Sequence, residues 1–211
     1  MIPSSPFLCV ITDEAFCPVT LARKALEGGA LMIQLRNKSA SGNQIYLWAL
    51  EISRLCMLHG GLCIINDRID IALASRADGV HLGQADIPAA AARKLLGKNR
   101  ILGISASSPA EALQAEHDGA DYIGVGHIYP TASKEKSTLP IGPETLASIA
   151  ALVRIPIVAI GGISIANAGG MIRLGASGVA VISAVSRTES PAAATRTLLN
   201  AIGTMGEHPD D

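Results

Sequence analysis

Two short acidic segments, each directly after an apolar run, have the clearest chemical potential in this sequence. Asp67 lies in Ile65-Asn66-Asp67-Arg68, and Asp86 ends His81-Leu82-Gly83-Gln84-Ala85-Asp86. Either aspartate could simply cap the helix that follows it, which is a common structural role for this residue type. Two carboxylates at the ends of neighbouring parallel strands, however, can share one hard cation. Together they predict a Mg²⁺ site that substrate oxygens and water complete.

Basic side chains follow other apolar runs. Gln34, Arg36 and Lys38 alternate in Gln34-Leu35-Arg36-Asn37-Lys38, so they share one face of an extended segment. Two cations this close repel each other unless an anion lies nearby. A solvated loop with ordinary surface charges is the alternative interpretation. In company with the acidic pair, these cations and Lys134 predict a phosphorylated substrate.

Two further segments suit a bound anion. The loop over residues 124–142 is longer than a strand-to-helix connection requires, and it places hydroxyls beside Lys134. An exposed, mobile loop is the alternative there. The segments Ile160-Gly161-Gly162-Ile163 and Ala180-Val181-Ile182-Ser183 follow later apolar runs. Such loops after the last two strands of a barrel often bind a phosphate monoester, although they specify no particular reaction.

The elements that would position these residues alternate between short apolar strands and helices, in about eight units. Runs that are apolar on both faces are typical of parallel strands covered by helices. Strands are predicted at residues 8–11, 32–35, 62–65, 79–82, 101–104, 122–125, 157–160 and 178–182. Helices are predicted at residues 19–27, 44–59, 69–75, 87–96, 109–117, 143–151, 166–174 and 192–202.

Eight such units predict an α/β fold, a single-domain (β/α)8 TIM barrel over residues 1–205, with residues 206–211 as a disordered tail. A doubly wound open sheet is the alternative. The regular spacing of the units, and the lack of an early G-x-G-x-x-G turn, favour the closed barrel. In that fold the acidic and basic residues described above lie where strands end, which is the catalytic face.

Composition excludes several classes of function. The 211 residues carry a net charge of −1 and are 49% hydrophobic, which suits one domain with a large core. Neither a basic stripe nor a long apolar segment is present, so we expect neither nucleic-acid nor membrane binding. The first residues lack a signal-peptide pattern, which predicts a cytoplasmic protein. The four cysteines lack metal-site spacing and are interpreted as mostly buried thiols.

Seven segments, in order over nearly the whole chain, resemble the thiamine-phosphate synthase family, also called thiamine-phosphate pyrophosphorylase. They are Val10-Ile11-Thr12-Asp13, Gln34-Leu35-Arg36-Asn37-Lys38, Asn66-Asp67-Arg68-Ile69-Asp70-Ile71-Ala72, Asp78-Gly79-Val80-His81-Leu82-Gly83-Gln84-Ala85-Asp86, Gly103-Ile104-Ser105, Pro130-Thr131-Ala132-Ser133-Lys134 and Ile160-Gly161-Gly162-Ile163. Each motif alone is weak, and the ordered set carries the resemblance.

The resemblance implies a Mg²⁺-dependent transferase. Its small-molecule partners would be (4-amino-2-methylpyrimidin-5-yl)methyl diphosphate and a thiazole phosphate, condensed to thiamine phosphate and pyrophosphate by dissociative substitution. A homodimer is a further expectation. Asp67 and Asp86 would hold the metal, and Arg36, Lys38 and Lys134 would be catalytic. The implied substrate-binding residues are Gln34, Leu35, Arg36, Asn37, Lys38, Asn66, Ser105, Thr131, Ala132, Ser133, Lys134, Gly162, Ile182 and Ser183.

His127 departs from the family pattern, because many synthases have Gly-Pro where this chain has Gly126-His127. A histidine there resembles the thiazole tautomerase branch, in which that residue shuttles a proton. Tautomerases generally lack the paired aspartates, so a loop histidine with a hydrogen-bonded ring is the simpler interpretation. Ser133 replaces a more usual threonine and keeps the hydroxyl. A thiazole tautomerase and a non-catalytic barrel that binds thiamine precursors remain as alternatives.

Overall fold

Eight parallel strands close into a barrel in the computed structural model, which describes residues 1–4, 6–131 and 139–203. Neighbours along the chain are neighbours in the barrel, and β8 pairs with β1 to close it. The strands are β1 Phe7–Ile11, β2 Met32–Leu35, β3 Leu62–Asn66, β4 Gly79–Leu82, β5 Ile101–Ala106, β6 Tyr122–Gly126, β7 Ile157–Ile160 and β8 Gly178–Val181. The predicted (β/α)8 barrel is therefore confirmed, and the doubly wound sheet is excluded.

Helices connect the strands and cover the outside of the barrel. They are α1 Pro18–Glu27, α2 Gly42–His59, α3 Ile69–Ser75, α4 Ala89–Leu96, α5 Pro109–His117, α6 Gly142–Ala150, α7 Ile165–Arg173, α8 Ser183–Ser186 and α9 Pro191–Gly203. The sequence did not predict the short α8. The predicted tail, residues 206–211, lies outside the described residues. No helix within the described ranges has the length and apolarity needed to cross a membrane.

Alternate residues of each strand point to opposite sides of the barrel wall. Outward-facing side chains such as Leu8, Ile33 and Leu102 are fully buried in the layer between strands and helices. Inward-facing side chains form a second apolar cluster, which includes Phe7, Cys9, Met32, Ile64 and Ile101. This arrangement explains why the strands read as continuous apolar runs in the sequence.

The inside of the barrel is polar towards the carboxyl ends of the strands. Gln34, His81, Ser105 and Tyr122 all line a cavity there. The Tyr122 ring, which is only 2% exposed, fits because residue 103 is a glycine. A Cβ on Gly103 would overlap this ring. The barrel thus fills its lower part with apolar side chains and keeps its upper part for polar groups.

We expect Gly103→Ala to destabilise the protein by about 2–3 kcal/mol, because the fully packed Tyr122 ring has to move. For a chain of this size that corresponds to a fall in Tm of roughly 4–12 °C, measured by thermal unfolding. Gly203→Ala is the control, since its added methyl group meets no atom within 4 Å. Equal Tm values for the two variants would show that the space at Gly103 is not limiting.

Three of the four cysteines, Cys9, Cys56 and Cys63, are buried, and Cys17 is exposed. All four are free thiols. A hydrogen bond with Cys63, together with burial, raises the pKa of the Cys56 thiol far above its usual range. This thiol therefore stays protonated and behaves as a small apolar core group.

Candidate active site

An open cavity with about 840 Å³ of empty volume lies at the carboxyl ends of the strands. Side chains and loops from strands on every side of the barrel contribute to its wall, as expected for the catalytic face of this fold. Six of the predicted substrate-binding residues line it: Gln34, Ser105, Thr131, Gly162, Ile182 and Ser183. The structure thus brings together residues that are up to 149 positions apart in the sequence, from 34 to 183.

Asp67 and Asp86 share a neighbouring groove at the rim, in the loops that lead into α3 and α4. The Asp86 Oδ2 atom accepts a hydrogen bond from the Gly83 N–H at 2.7 Å. Asp67 has a φ of 63°, in the left-handed region that asparagine, aspartate and glycine tolerate best. Neither aspartate is a helix N-cap, because Arg68 has that position in α3 and Pro88 has it in α4. The capping interpretation is therefore wrong for both.

The donors at this groove fit Mg²⁺, which prefers oxygen ligands and often takes only one or two from the protein. In the part of the chain that the structure describes, no cluster of three or more His, Cys, Asp or Glu side chains could hold a metal. An ion held by Asp67 and Asp86 would need water and substrate oxygens to complete its coordination. A diphosphate group is the kind of substrate that supplies such oxygens.

Lys38 links the basic segment to the acidic groove, because its Nζ atom lies 3.8 Å from Asp67 Oδ2. Arg36 points towards the loop after β1, where its Nη1 atom lies 3.2 Å from Glu14 Oε1. The same carboxylate accepts hydrogen bonds from the Lys38 N–H and the Ser39 hydroxyl, both at 3.2 Å. The Glu14 side chain thus contacts Arg36, Lys38 and Ser39.

Sequence reasoning missed Glu14 and also missed Thr12, whose hydroxyl accepts from the Arg36 N–H and donates to the Arg36 carbonyl, both at 2.8 Å. Both residues lie at or just beyond the end of β1, which pairs with β2. A signal was available, because an acidic residue after one strand and a basic segment after its neighbour meet at the same edge of the barrel.

The loops after β7 and β8 lie on the opposite side of the cavity. Gly161 and Gly162 have φ values of 98° and 67°, and a Cβ on Gly162 would lie 2.6 Å from Tyr129 Cβ. The Gly162 carbonyl accepts a hydrogen bond from the Asn167 side chain at 3.0 Å. Asn167 also accepts from the Ser164 N–H at 2.8 Å, so a capping box of α7 fixes the loop. Backbone N–H groups held in this way can bind a phosphate.

Three polar side chains in the wall of the cavity, Tyr122, His81 and Ser105, are joined by hydrogen bonds. The Tyr122 hydroxyl lies 2.9 Å from His81 Nδ1, and His81 Nε2 lies 2.9 Å from Ser105 Oγ. Burial raises the pKa of the Tyr122 hydroxyl well above its usual value. The sequence analysis did not single out Tyr122 or His81, although each is a polar residue at an inward-facing position of a strand.

Other predicted site residues take different positions. The Leu35 side chain is buried between the barrel and the helices, because it follows the inward-facing Gln34 and so points the other way. Asn37 Oδ1 accepts from the Ala40 N–H at 2.7 Å and stabilises its own loop. Asn66 is half-buried at the end of β3, beside Asp67. Ala132, Ser133 and Lys134 lie outside the described residues.

His127 lines the cavity and is 6% exposed. Its carbonyl accepts a hydrogen bond from the Ile141 N–H at 3.0 Å, which joins the two ends of the loop between β6 and α6. A Cβ on Gly161 would overlap His127 Cβ, so this residue also packs tightly against the loop after β7. These contacts give His127 a structural role in addition to its position at the cavity.

Comparison with known proteins identifies relatives along nearly the whole chain. A family model described as thiamine monophosphate synthase matches residues 8–185. The chain is 62% identical over 208 residues to a thiamine-phosphate synthase from Chlorobium limicola, covering 99% of both sequences. It is 48% identical over 193 residues to one from Methanospirillum hungatei, covering 90% of this chain and 94% of the other.

Solved structures agree with these sequence matches. The fold is similar to that of a thiamine phosphate pyrophosphorylase from Pyrococcus furiosus, with a TM-score of 0.87 and 42% identity over 94% of this chain and 96% of that one. A 3-hexulose-6-phosphate synthase matches with a TM-score of 0.69 and 20% identity over 93% of this chain and 99% of that one. At that identity the second likeness concerns the barrel fold alone.

Proposed function

Since this chain belongs to the thiamine-phosphate synthase family, we propose that it condenses (4-amino-2-methylpyrimidin-5-yl)methyl diphosphate with a thiazole phosphate. The products would be thiamine phosphate and pyrophosphate. The chain is a transferase of the thiamine-phosphate pyrophosphorylase type. The observation that carries the detailed proposal is the 3.8 Å contact between Lys38 and Asp67, which joins the cationic and acidic sets at one edge of the cavity.

Departure of the diphosphate is the step that these charges would promote. A dissociative substitution leaves a carbocation on the pyrimidine methylene carbon and a strongly anionic leaving group. Arg36 and Lys38 would stabilise the charge that develops on the diphosphate, and Lys134 would join them from the loop after β6. Asp67 and Asp86 would hold Mg²⁺, which supplies further charge neutralisation at the diphosphate oxygens when it is bound.

The remaining groups would orient the two reactants and exclude water. Gln34, Asn66 and Ser105 would contact the pyrimidine, with Leu35 and Asn37 contributing through their backbone and loop. Gly162, Ile182 and Ser183 would hold the thiazole phosphate on the opposite side of the cavity. Thr131, Ala132 and Ser133 would contact the thiazole carboxylate or neighbouring groups. The thiazole nitrogen then attacks the cation, and no protein nucleophile is required.

The direct test mixes purified protein with both substrates and Mg²⁺, and follows thiamine phosphate by the fluorescence of its oxidised form. We expect product formation that requires Mg²⁺ and releases one pyrophosphate per thiamine phosphate. Binding of thiazole phosphate without any pyrophosphate release would instead indicate a non-catalytic barrel.

His127→Ala, run beside the wild type, separates the synthase from a tautomerase. A tautomerase predicts that conversion of the thiazole tautomer disappears in this variant while Asp67 is dispensable. A synthase predicts instead that thiamine phosphate formation requires Asp67. Because His127 also packs on the loop after β7, the assay should include the thermal stability of the variant.

Cytoplasmic location and a homodimer complete the proposal. The first is tested by fractionation of native cells, and the second by light scattering of the purified protein. Small-molecule substrates are sufficient for the proposed reaction, so it needs no nucleic-acid or membrane partner.

A further inference from the structure

The loop that follows β1 contacts the loops on both sides of it, because β1 lies between β8 and β2 in the barrel. Towards β2, Thr12 and Glu14 hydrogen-bond the basic segment. Towards β8, Asp13 hydrogen-bonds Ser186 in the short helix α8. Three consecutive residues of one loop therefore support both neighbouring parts of the candidate site.

Asp13 uses both of its carboxylate oxygens. Its Oδ1 atom accepts from the Ala15 N–H at 3.1 Å, which fixes its own loop. Its Oδ2 atom accepts from the Ser186 hydroxyl at 2.9 Å and lies 3.4 Å from Arg187 Nε. The Asp13 side chain is only 11% exposed, and Ser186 is buried. A hydrogen bond to a charged group in such a sheltered position is stronger than one between neutral groups.

The Asp13 carboxyl is ionised at neutral pH. Burial acts to raise its pKa, but the hydrogen bonds from Ala15, Ser186 and Arg187 outweigh burial and hold this pKa below its usual value. An ionised carboxylate only accepts hydrogen bonds, so the Ser186 hydroxyl donates to it. The direction of this hydrogen bond is therefore fixed.

Helix α8 depends on contacts of this kind, because Ser183–Ser186 is a single turn and so short a helix is not stable alone. The fully buried Val185 provides an apolar contact with the core, and the Ser186 hydroxyl provides a polar one. The Ser186 N–H also donates to the Ile182 carbonyl at 2.9 Å. Because Ile182 and Ser183 line the cavity, a shift of this turn would move the cavity wall.

We propose that Asp13 is a positioning residue that holds α8, and with it the backbone N–H groups of Ile182 and Ser183, in place for the phosphate of the thiazole substrate. Asp13 itself lies outside the lining of the cavity, so it acts through Ser186. The inference rests on the proposed function. Glu14, the next residue along, has the corresponding role for the basic segment on the other side.

The first test is the effect of Asp13→Asn on the two KM values. Asparagine has one side-chain oxygen, so it cannot replace two carboxylate oxygens that accept from different donors. We expect KM for the thiazole phosphate to rise about tenfold, the worth of about one hydrogen bond, and KM for the pyrimidine diphosphate to stay within about twofold. Glu14→Gln, in the same loop, should show the opposite pattern. Equal rises of both KM values in Asp13→Asn would overturn the proposal, because general loosening of the loop has that effect.

The second test is amide hydrogen exchange in the free protein. The N–H groups of residues 185–187 are bonded within the α8 turn, and we expect them to exchange about tenfold faster in Asp13→Asn. Ser186→Ala should have the same effect. Glu116→Gln is the control, because the Glu116 carboxylate also joins two elements, accepting two backbone N–H groups of the loop before β7. This control should change neither KM nor exchange in α8. Unchanged α8 exchange in Asp13→Asn would overturn the proposal.

Asp13→Asn combined with Ser186→Ala gives a further readout. Since the two residues act as a pair, the double variant should raise KM for the thiazole phosphate no more than the stronger single variant does. Fully additive effects would overturn the proposal. Failure of the proposed function has a different signature: the wild type then forms no thiamine phosphate, although exchange in α8 still depends on Asp13. That result would overturn the assignment of the phosphate and confirm the contact that holds α8.

Discussion

Replacing Asp67 with asparagine should lower kcat/KM for thiamine phosphate formation by roughly 10²- to 10³-fold, the usual cost of losing one charged group at a developing anion. Asparagine keeps the size of the side chain and tolerates the left-handed backbone at this position, where φ is 63°. The change therefore removes the negative charge and keeps the local backbone conformation. Steady-state rates over a range of Mg²⁺ concentrations measure the effect, and the half-saturating Mg²⁺ concentration should rise.

Asp70→Asn is the matched control, because Asp70 lines the same groove but pairs with Arg68 at 2.5 Å. We expect this variant to retain activity within about a few-fold of wild type, since exposed ion pairs contribute little. Asp86→Asn should resemble Asp67→Asn. If Asp67→Asn and Asp70→Asn lose activity equally, the groove acts through its general negative charge and not as a metal site.

Gly162→Ala should raise KM for the thiazole phosphate by about 10- to 100-fold, which is the worth of hydrogen bonds to a charged group. The added methyl group would lie 2.6 Å from Tyr129 Cβ and 2.7 Å from the Pro130 carbonyl oxygen, so the loop has to shift. The N–H groups that we assign to the phosphate then move with it. The KM for the pyrimidine diphosphate, whose site lies on the other side of the cavity, should stay nearly constant.

Gly60→Ala separates the clash from the backbone strain. Gly60 has a φ of 68°, close to the 67° of Gly162, but a Cβ there meets no atom within 4 Å. Both variants should lose about 1 kcal/mol of stability from the positive φ. Only Gly162→Ala should change KM for the thiazole phosphate, and a similar change in Gly60→Ala would show that general destabilisation is responsible.

The sequence predicted the barrel well because its strands are short, apolar and evenly spaced. All eight strands appear at the predicted places, and helices such as α3 and α5 have the predicted ends. Helix α2 begins at Gly42 and not at the predicted residue 44, because the Ser41 side chain caps the helix by accepting a hydrogen bond from the Gln44 N–H. Such caps depend on local side-chain geometry, which periodicity does not report.

The candidate site was predicted in part. Residues at strand ends, such as Gln34, Ser105 and Gly162, could be placed together because the fold itself brings strand ends together. Glu14 was missed although the pairing of β1 with β2 could have indicated it. Asn167 could not be found in this way, since it fixes the loop before its own helix through local hydrogen bonds. The short helix α8 was also missed, because four residues carry too little periodicity to recognise.

The alternation of inward and outward residues along each strand separates positions that determine stability from positions that determine ligand recognition. In β4, Val80 and Leu82 pack against the helices, and His81 between them lines the cavity and hydrogen-bonds Tyr122. Substitutions at the outward positions change how firmly the barrel holds together, and those at the inward positions that line the cavity change what it recognises. Lineages of this barrel can therefore adapt to heat or cold at one set of positions and to a new ligand at the other. A library designed for altered specificity should accordingly vary the inward-facing residues that line the cavity and leave the rest of each strand intact.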